Sequence, residues 1–314
     1  MENLIFSLNS TLPVFLTMLL GWFFRKIGLM DEDFVNKLNR FVFVAALPLL
    51  VFNDLATVDF IKVWDTKFVL FCFFVTLITI LAVTLLSYTL KNRQVQGEFI
   101  QASYRSSAAL LGIAFIQNIY GDAGMAPLMI ISSVPLYNVI AVVILSFMKP
   151  DRDRLNKAFV KTTLKSILTN PIILGILAGF IWSLVNIPIS PILQKTLNNV
   201  STLATPLGLM AMGATIDNKK ITANIKLSVL ASFIKLVLLT AIFLPLAAIF
   251  GFTHEKLIAI LVMLGSATTS SSFIMARSMG HEGTLTSGTV MLSTLLSAFT
   301  LTGWLFLLKS FGLI

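Results

Sequence analysis

The sequence predicts an all-α integral membrane protein with ten transmembrane helices, arranged as a five-plus-five inverted repeat. Three observations predict this fold: an apolar composition, an uneven distribution of basic residues between loops, and an internal repeat. Of the 314 residues, 57% are hydrophobic and only 12% are charged, whereas a soluble domain carries about 25% charged residues. The composition therefore indicates a polytopic membrane protein and not a globular enzyme with a large core.

Ten apolar stretches are long enough to cross a bilayer, which takes about 20 helical residues. They are Ile5–Phe24, Val35–Leu55, Phe68–Thr89, Phe99–Ile119, Met125–Met148, Ile167–Val185, Leu197–Ile216, Leu227–Phe250, Leu257–Met279 and Thr286–Leu308. Spans four and nine are the least apolar because Ser, Gly and Ala dilute them. No cleavable signal peptide is expected, since Arg25 and Lys26 follow the first stretch where small residues would mark a cleavage site.

The basic residues predict the orientation of the chain. Seventeen of the 23 Lys and Arg residues fall in one set of alternate loops and span ends, five fall in the opposite set, and Lys235 lies inside span eight. Loops rich in Lys and Arg face the cytoplasm, so both termini are expected outside and the basic loop 151–165 inside. The net charge of +9 thus reflects membrane topology, and the expected partner is the lipid bilayer, not nucleic acid.

The two halves of the chain match at a constant offset of 158 residues. The matching residues are Pro13 and Pro171, Gly21 and Gly179, Pro48–Leu49 and Pro206–Leu207, Ala56–Asp59 and Ala214–Asp217, and Lys62 and Lys220. Each half (1–150 and 166–314) holds five spans, an odd number, so the second half enters the membrane inverted. Inverted repeats are typical of secondary transporters, whose substrate sites lie near the midplane where interrupted helices face each other.

Spans four and nine are the best candidates for such interrupted helices. Span nine carries five consecutive hydroxyl residues, Thr268–Ser272, between Gly265 and Gly280. Hydroxyl side chains compete for backbone hydrogen bonds, and irregular backbone at membrane depth is tolerated only inside protein or beside a wet cavity. Span four has a similar stretch over 103–114. A small-residue face for close helix packing is the alternative.

Motifs in four spans resemble the auxin efflux carrier family, whose bacterial branch includes malate and malonate carriers. These motifs are Pro135–Val139, Thr169–Ile173, Thr205–Leu209 with Met212–Ala214, and Ser293–Leu301. The resemblance covers nearly the whole chain and implies the fold outline of sodium/proton antiporters and bile-acid symporters. It implies that spans one, two, six and seven form a scaffold, which could mediate a homodimer. Spans three to five and eight to ten would form a transport unit in which broken spans four and nine cross.

The sequence departs from the family pattern at both expected crossover prolines. Alanines stand there, in Gly112–Ile113–Ala114 and in Ala267–Thr268–Thr269. Proline breaks a helix by removing a donor and clashing with the preceding turn. Its absence leaves a more continuous helix as an alternative at both places.

An anion site at the crossover needs helix N-termini, whose partial positive charge attracts carboxylate, together with hydroxyl and amide groups that orient it. The candidate substrate-binding residues are Ser106, Ser107, Gly112, Ile113, Ala114, Asn138, Ala267, Thr268, Thr269, Ser270 and Ser271. Helix packing is the alternative role for each hydroxyl. One cysteine and two histidines without plausible partners give no basis for a disulfide, metal site, cofactor or catalytic role.

Lys235 is predicted to support the crossover or the coupling of transport. It lies about nine residues into span eight, roughly 13 Å deep at about 1.5 Å per residue, and a charge at such depth is a functional candidate. The alternative is a lysine that reaches the cytoplasmic interface along its stem. Arg105 and Arg277 are expected to reach that interface in this way, and Asp54 is expected to be solvated near the outer end of span two.

The sequence therefore predicts a secondary transporter in the plasma (inner) membrane. Its substrate class would be a small organic acid anion, either malate/malonate-like or auxin-like, moved by an elevator-type alternating-access mechanism. Proton- or sodium-coupled symport of an amphipathic acid and a membrane sensor that does not transport are the alternatives. Carboxylate-based sodium/proton antiport is disfavoured, because the middles of spans three to five and eight to ten contain no Asp or Glu.

Overall fold

The computed structural model describes residues 13, 16–56, 64–108, 116, 125–149, 161, 164–165, 167–185, 187–215 and 218–314, and contains no β-strand within these ranges. Its helices are α1 (16–26), α2 (Glu32–Phe41), α3 (Leu47–Ala56), α4 (Thr66–Ser87), α5 (Gln96–Tyr104), α6 (Ala126–Phe147), α7 (Pro171–Val185), α8 (Pro191–Ser201), α9 (Ala204–Ala214), α10 (Asn218–Phe233), α11 (Leu239–Ile249), α12 (His254–Gly265), α13 (Ser271–Ser278) and α14 (Thr284–Ser310). Two π-helical turns, Val42–Ala46 and Ile234–Leu238, join α2 to α3 and α10 to α11.

Within the described ranges, five helical segments are long and apolar enough to cross a membrane. They are Glu32–Ala56, Thr66–Ser87, Ala126–Phe147, Asn224–Ile249 and Thr284–Ser310. Each agrees within three residues, at both ends, with predicted span two, three, five, eight or ten. The described part of the chain is thus an all-helical, multi-pass membrane protein.

Local side-chain caps explain where several helices begin. The Asp31 carboxylate accepts a hydrogen bond from the Phe34 N–H at 2.7 Å, and Asp65 accepts one from Phe68 at 3.0 Å. Such caps satisfy donors that the first helical turn leaves without a partner. The buried Glu98 carboxylate accepts in the same way, from N–H groups at the start of α14. Short polar segments therefore set the helix boundaries between long apolar runs.

Span nine consists of two helices. α12 ends at Gly265, Ser266 is extended (φ −75°, ψ 160°), and α13 begins only at Ser271. The alternative of a continuous helix through Ala267 is therefore wrong. In span four, α5 ends at Tyr104 and the backbone is non-helical over 105–107.

Several predicted features fall outside the described residues. They are Gly112, Ile113 and Ala114, the first part of span one, most of the loop 151–165, and the repeat matches at 57–59, Lys62 and 216–217.

The buried apolar side chains of the described residues form two large clusters and a small third one. One packs α4, α5, α6, α11, α12 and α14 together, with Phe68, Phe99 and Met129 fully buried. The other joins α1, α3, α7 and α9 to α6 and α13, through residues such as Val51 and Ile274. Residues from both groups of helices line the cavity described below.

Two glycine contacts are related by the repeat offset. A Cβ atom built on Gly21 of α1 would lie 2.1 Å from the Met210 carbonyl oxygen in α9, and one on Gly179 of α7 would lie 2.9 Å from the Phe52 carbonyl oxygen in α3. Gly21 and Gly179 differ by 158 in number, and so do Phe52 and Met210. Helix α1 thus meets α9 at the positions equivalent to those where α7 meets α3, in contacts that only a missing side chain permits.

Candidate functional site

The two helix interruptions lie against each other and exchange backbone hydrogen bonds. The Ser107 N–H donates to the Ala267 carbonyl at 2.9 Å. The Thr268 hydroxyl donates to the Ala102 carbonyl at 2.8 Å, while the Thr268 N–H donates to the Ser293 hydroxyl at 3.0 Å. Backbone N–H and C=O groups that an unbroken helix would pair internally are therefore hydrogen-bonded to neighbouring segments. Burial in a membrane protein requires such pairing.

Side chains add further links between the two interrupted segments. The Ser106 hydroxyl contacts the Ser266 hydroxyl and donates to the Val262 carbonyl at 3.2 Å. The Gln101 amide donates to the Ser272 carbonyl at 2.9 Å. The hydroxyl residues thus serve packing and backbone pairing at this contact, one of the two roles that the sequence leaves open.

A cavity of about 60 Å³ lies beside this contact, between the interrupted segments, α6 and α3. Its polar lining residues are Asp54, Arg105, Ser106, Ser107, Tyr137, Asn138, Thr205, Thr269, Ser270 and Ser271. Six of them are among the predicted substrate-binding residues, while Ala267 and Thr268 lie in the contact between the segments. The fold therefore gathers residues from distant parts of the chain around one small polar space.

Arg105 provides the positive charge of this cavity. It is 2% exposed, and its Nη2 donates to Asn138 Oδ1 at 2.7 Å and to Ser271 Oγ at 2.9 Å. Its Nη1 donates to Met275 Sδ at 2.7 Å and to Gln101 Oε1 at 3.4 Å, and Nε has no hydrogen-bond partner within the described ranges. No carboxylate in the described part of the chain forms an ion pair with it. The expectation that Arg105 reaches the cytoplasmic interface is therefore wrong.

Asp54 lines the same cavity from α3 and is half-buried. Its position in the cavity wall differs from the solvated outer position expected from the sequence. It forms no salt bridge with any described basic residue. The cavity thus carries one positive and one negative side chain that are not paired with each other.

Lys235 lies in the π-helical turn Ile234–Leu238 and is 1% exposed. Its Nζ donates to the carbonyl oxygens of Met263, at 3.3 Å, and Leu264. These carbonyls belong to the last turn of α12, where the interruption removes their helical partners. A cation is favourable at a helix C-terminus, so the lysine stabilises the broken end. The alternative of a lysine extended to the interface is wrong.

The start of α13 adds to the positive character of the cavity. A helix start carries partial positive charge, although here the Ser272 and Phe273 N–H groups already donate to the Thr269 and Ser270 carbonyls. Thr269, Ser270 and Ser271 line the cavity at this end. Together with the Arg105 guanidinium, these groups suit a bound carboxylate or a similar oxyanion. No aromatic or metal-binding cluster is needed for that chemistry.

The sequence carried a signal for Arg105 that the interpretation did not use. The residue stands within an apolar span and next to Ser106 and Ser107, and an ionisable residue inside a span is a functional candidate by default. The topology prediction treats Arg105 as a loop charge, so its position inside the span was not used as evidence for a functional role. Asp54 gave no comparable signal, because its position near a predicted span end is typical of solvated residues.

Comparison with known proteins gives the family. A profile of the family described as membrane transport protein matches residues 6–305, nearly the whole chain. No curated protein matches the chain. This family is of the auxin efflux carrier type and consists of transporters, not enzymes. The chain therefore belongs to the membrane transport protein family.

Proposed function

We propose that this protein is a secondary transporter of a small organic acid anion, either a mono- or a dicarboxylate of the malate/malonate kind. The observation that carries the proposal is Arg105, a buried guanidinium that lines the cavity and has no carboxylate partner within the described chain. A buried charge is costly unless it is paired. A substrate carboxylate would supply the missing negative charge.

The surrounding residues have separate roles in this proposal. Asn138 and Ser271 hold the guanidinium in place through the hydrogen bonds to Nη2. Ser107, Thr269 and Ser270 line the cavity and would donate to the second carboxylate or to a hydroxyl of the substrate. The small volume of about 60 Å³ favours a short aliphatic acid over an auxin-like aromatic acid.

The proposed mechanism is elevator-type alternating access in a ten-span inverted repeat. The contact between the interruptions supports crossing of spans four and nine, and Lys235 supports a lasting break in span nine. The two equivalent glycine contacts support a scaffold of spans one, two, six and seven. Asp54 lies on the scaffold side of the cavity and Arg105 on the transport side, so sliding between them would carry the anion across.

The cavity favours proton coupling as the driving force. Bound next to the carboxylate of Asp54, an anionic substrate would be repelled, and protonation of Asp54 would remove that repulsion. Anion and proton would therefore bind together. The other ionisable groups that line the cavity within the described chain are Arg105 and Tyr137. The loop charges support an orientation in which both termini lie on the outer side of the inner membrane.

Transport by purified protein in liposomes tests the proposal. Labelled malonate, malate, acetate and an aromatic acid would be supplied under a pH gradient, a sodium gradient or neither. We expect uptake of the short acids that depends on the pH gradient. Substrate binding without flux would indicate a sensor and would overturn the carrier proposal. Uptake that follows only the sodium gradient would overturn proton coupling.

A further inference from the structure

A second and larger cavity, of about 370 Å³, lies away from the proposed substrate site. It is formed by α2 with the π-helical turn that follows it and by the C-terminal end of α13. Its polar lining residues are Asn36, Asn39, Arg40, Arg277 and Ser278. None of its lining residues belongs to the substrate cavity.

Asn39 is a polar side chain without partners in the wall of this cavity. It is 4% exposed, and neither its Nδ2 nor its Oδ1 is hydrogen-bonded within the described residues. A buried amide with both groups unsatisfied carries the full cost of losing its water. A ligand that accepts a hydrogen bond from Nδ2 would remove part of this cost.

The charges at this cavity are positive. Arg40 and Arg277 both line it, and no acidic residue does so among the residues that the structure describes. Arg277 Nη2 donates to Asn36 Oδ1 at 3.3 Å, and Nη1 donates to the Glu282 carbonyl at 3.3 Å, which fixes the guanidinium at the cavity wall. The nearby Lys37 is instead exposed and paired with Asp33 at 2.5 Å. Two arginines thus line one space, and the buried Asn39 amide in its wall has no partner within the described chain.

We propose that this cavity binds a phosphate group. Guanidinium groups match the oxygens of phosphate in fork geometry. Basic pockets between helices at the cytoplasmic interface are places where anionic lipid headgroups bind, and the inference rests on the cytoplasmic orientation of this end under the proposed function. The phosphate comes either from an anionic phospholipid or from the cytoplasm as the free ion.

A ligand here would join the two parts of the proposed transporter. Arg40 and Asn39 belong to α2, on the scaffold side, whereas Arg277 and Ser278 belong to α13, on the transport side. A phosphate group bound by both sides would stabilise the arrangement in which they lie together. Its occupancy would therefore slow the movement that transport requires.

Thermal stability of the purified full chain tests the site without measuring transport. The chain would be placed in phosphatidylcholine nanodiscs with and without phosphatidylglycerol, and in detergent with and without inorganic phosphate. At a hundredfold excess over Kd we expect Tm to rise by about 4 °C. A rise with the lipid alone identifies the headgroup as the source, and a rise with inorganic phosphate as well identifies the free ion.

The double variant R40Q/R277Q should lose this rise, whereas Lys37→Gln, a matched change on the same helix, should keep it. An equal rise in the double variant would overturn the proposal, as would a rise with malonate and none with either phosphate source. These outcomes do not depend on Arg105 or on flux, so failure here leaves the proposed function standing.

Asn39→Leu separates binding from folding. Since both amide groups lack partners within the described chain, leucine should raise the Tm of the ligand-free protein and weaken the response to phosphate. A lower Tm with an unchanged response would show that Asn39 is structural and would contradict the site.

Discussion

Arg105 is the residue on which substrate recognition depends most directly in the proposed mechanism. The substitution Arg105→Gln keeps a hydrogen-bond donor near Asn138 and Ser271 and removes the positive charge. Losing a buried charge pair costs about 2–5 kcal/mol, so we expect KM for the transported acid to rise about 30-fold or more. Arg105→Lys keeps the charge and loses the forked donor geometry, so its KM should lie between those of the wild type and Arg105→Gln.

The control for Arg105 is Arg93→Gln, because Arg93 is an exposed arginine just before α5, the first helix of span four. Uptake in liposomes and binding by calorimetry should be unchanged in this control. Wild-type KM in Arg105→Gln would contradict the assigned role.

Lys235 acts on the broken helix and not on the substrate, since it does not line the cavity. In Lys235→Gln an uncharged amide faces the last carbonyls of α12, so the stabilisation of the helix end by a cation is lost. We expect the protein to fold and the transport rate to drop at least about tenfold, a barrier change near 1.4 kcal/mol. Flux and circular dichroism would be compared with Lys226→Gln, an exposed lysine on α10. Wild-type flux in Lys235→Gln would contradict the role assigned to Lys235.

Asp54 separates coupling from binding in the proposed mechanism. In Asp54→Asn the cavity keeps its shape and loses the group that takes up the proton. Accumulation driven by a pH gradient should fall to the level seen without a gradient, while exchange of internal for external substrate continues. The measurement is uptake against counterflow between pH 5 and 8. Accumulation that still follows the pH gradient would show that another group carries the proton.

At the level of single residues, Ser106, Ser107 and Asn138 lie together around the cavity, because polar groups at membrane depth need protein partners. Their binding of substrate stays a prediction. Arg105 was misplaced because residue number along a span does not tell which way a side chain points once the helix is interrupted, and Asp54 because a position near a span end does not tell which face of the helix meets the cavity. Only the break after Tyr104 turns Arg105 inward.

At the level of helices, the hydroxyl run Thr268–Ser272 correctly indicated a break in span nine. Proline is not required there, because Thr268 and Ser293 supply the hydrogen bonds that stabilise the open backbone. The long apolar helices were also predictable, since length and hydropathy alone define them. The crossing of spans four and nine was an expectation from the repeat and the family resemblance, but the hydrogen bonds that join the two interruptions were not predictable, because they form between residues about 160 apart.

Restoring the family proline tests this account of the break. Ser266 is extended, as the residue before a proline prefers, and no backbone hydrogen bond from the Ala267 N–H occurs within the described chain. Ala267→Pro should therefore keep stability or raise it by about 0.4–1 kcal/mol. Leu261→Pro, inside α12, should cost about 3 kcal/mol. Thermal unfolding in detergent would measure both, and equal losses would mean that the break at 267 is not preformed.

At the level of the whole molecule, the equivalent contacts of Gly21 and Gly179 connect the repeat in the sequence to the packing of the proposed scaffold. The sequence showed that the two glycines correspond, but it could not show what they touch. In the structure each meets a backbone carbonyl of a helix from the other half. A scaffold built this way would stay rigid while the transport unit moves, because backbone contacts leave little room for sliding.

Adding one methyl group at three glycines tests this packing with a matched control. In Gly21→Ala the new Cβ would lie 2.1 Å from the Met210 carbonyl oxygen, so the helices must separate, at a cost of about 1–3 kcal/mol or more. Gly179→Ala, at 2.9 Å from the Phe52 carbonyl oxygen, should cost less. In Gly303→Ala the new Cβ has no heavy atom within 4 Å, so this variant should gain about 0.5–1 kcal/mol from helix propensity.

The Tm values in detergent should follow this order: Gly303→Ala above wild type, then Gly179→Ala, then Gly21→Ala. If Gly21→Ala unfolded at the wild-type temperature, α1 and α9 could not be in backbone contact, and the equivalent packing of the two halves would be lost with it.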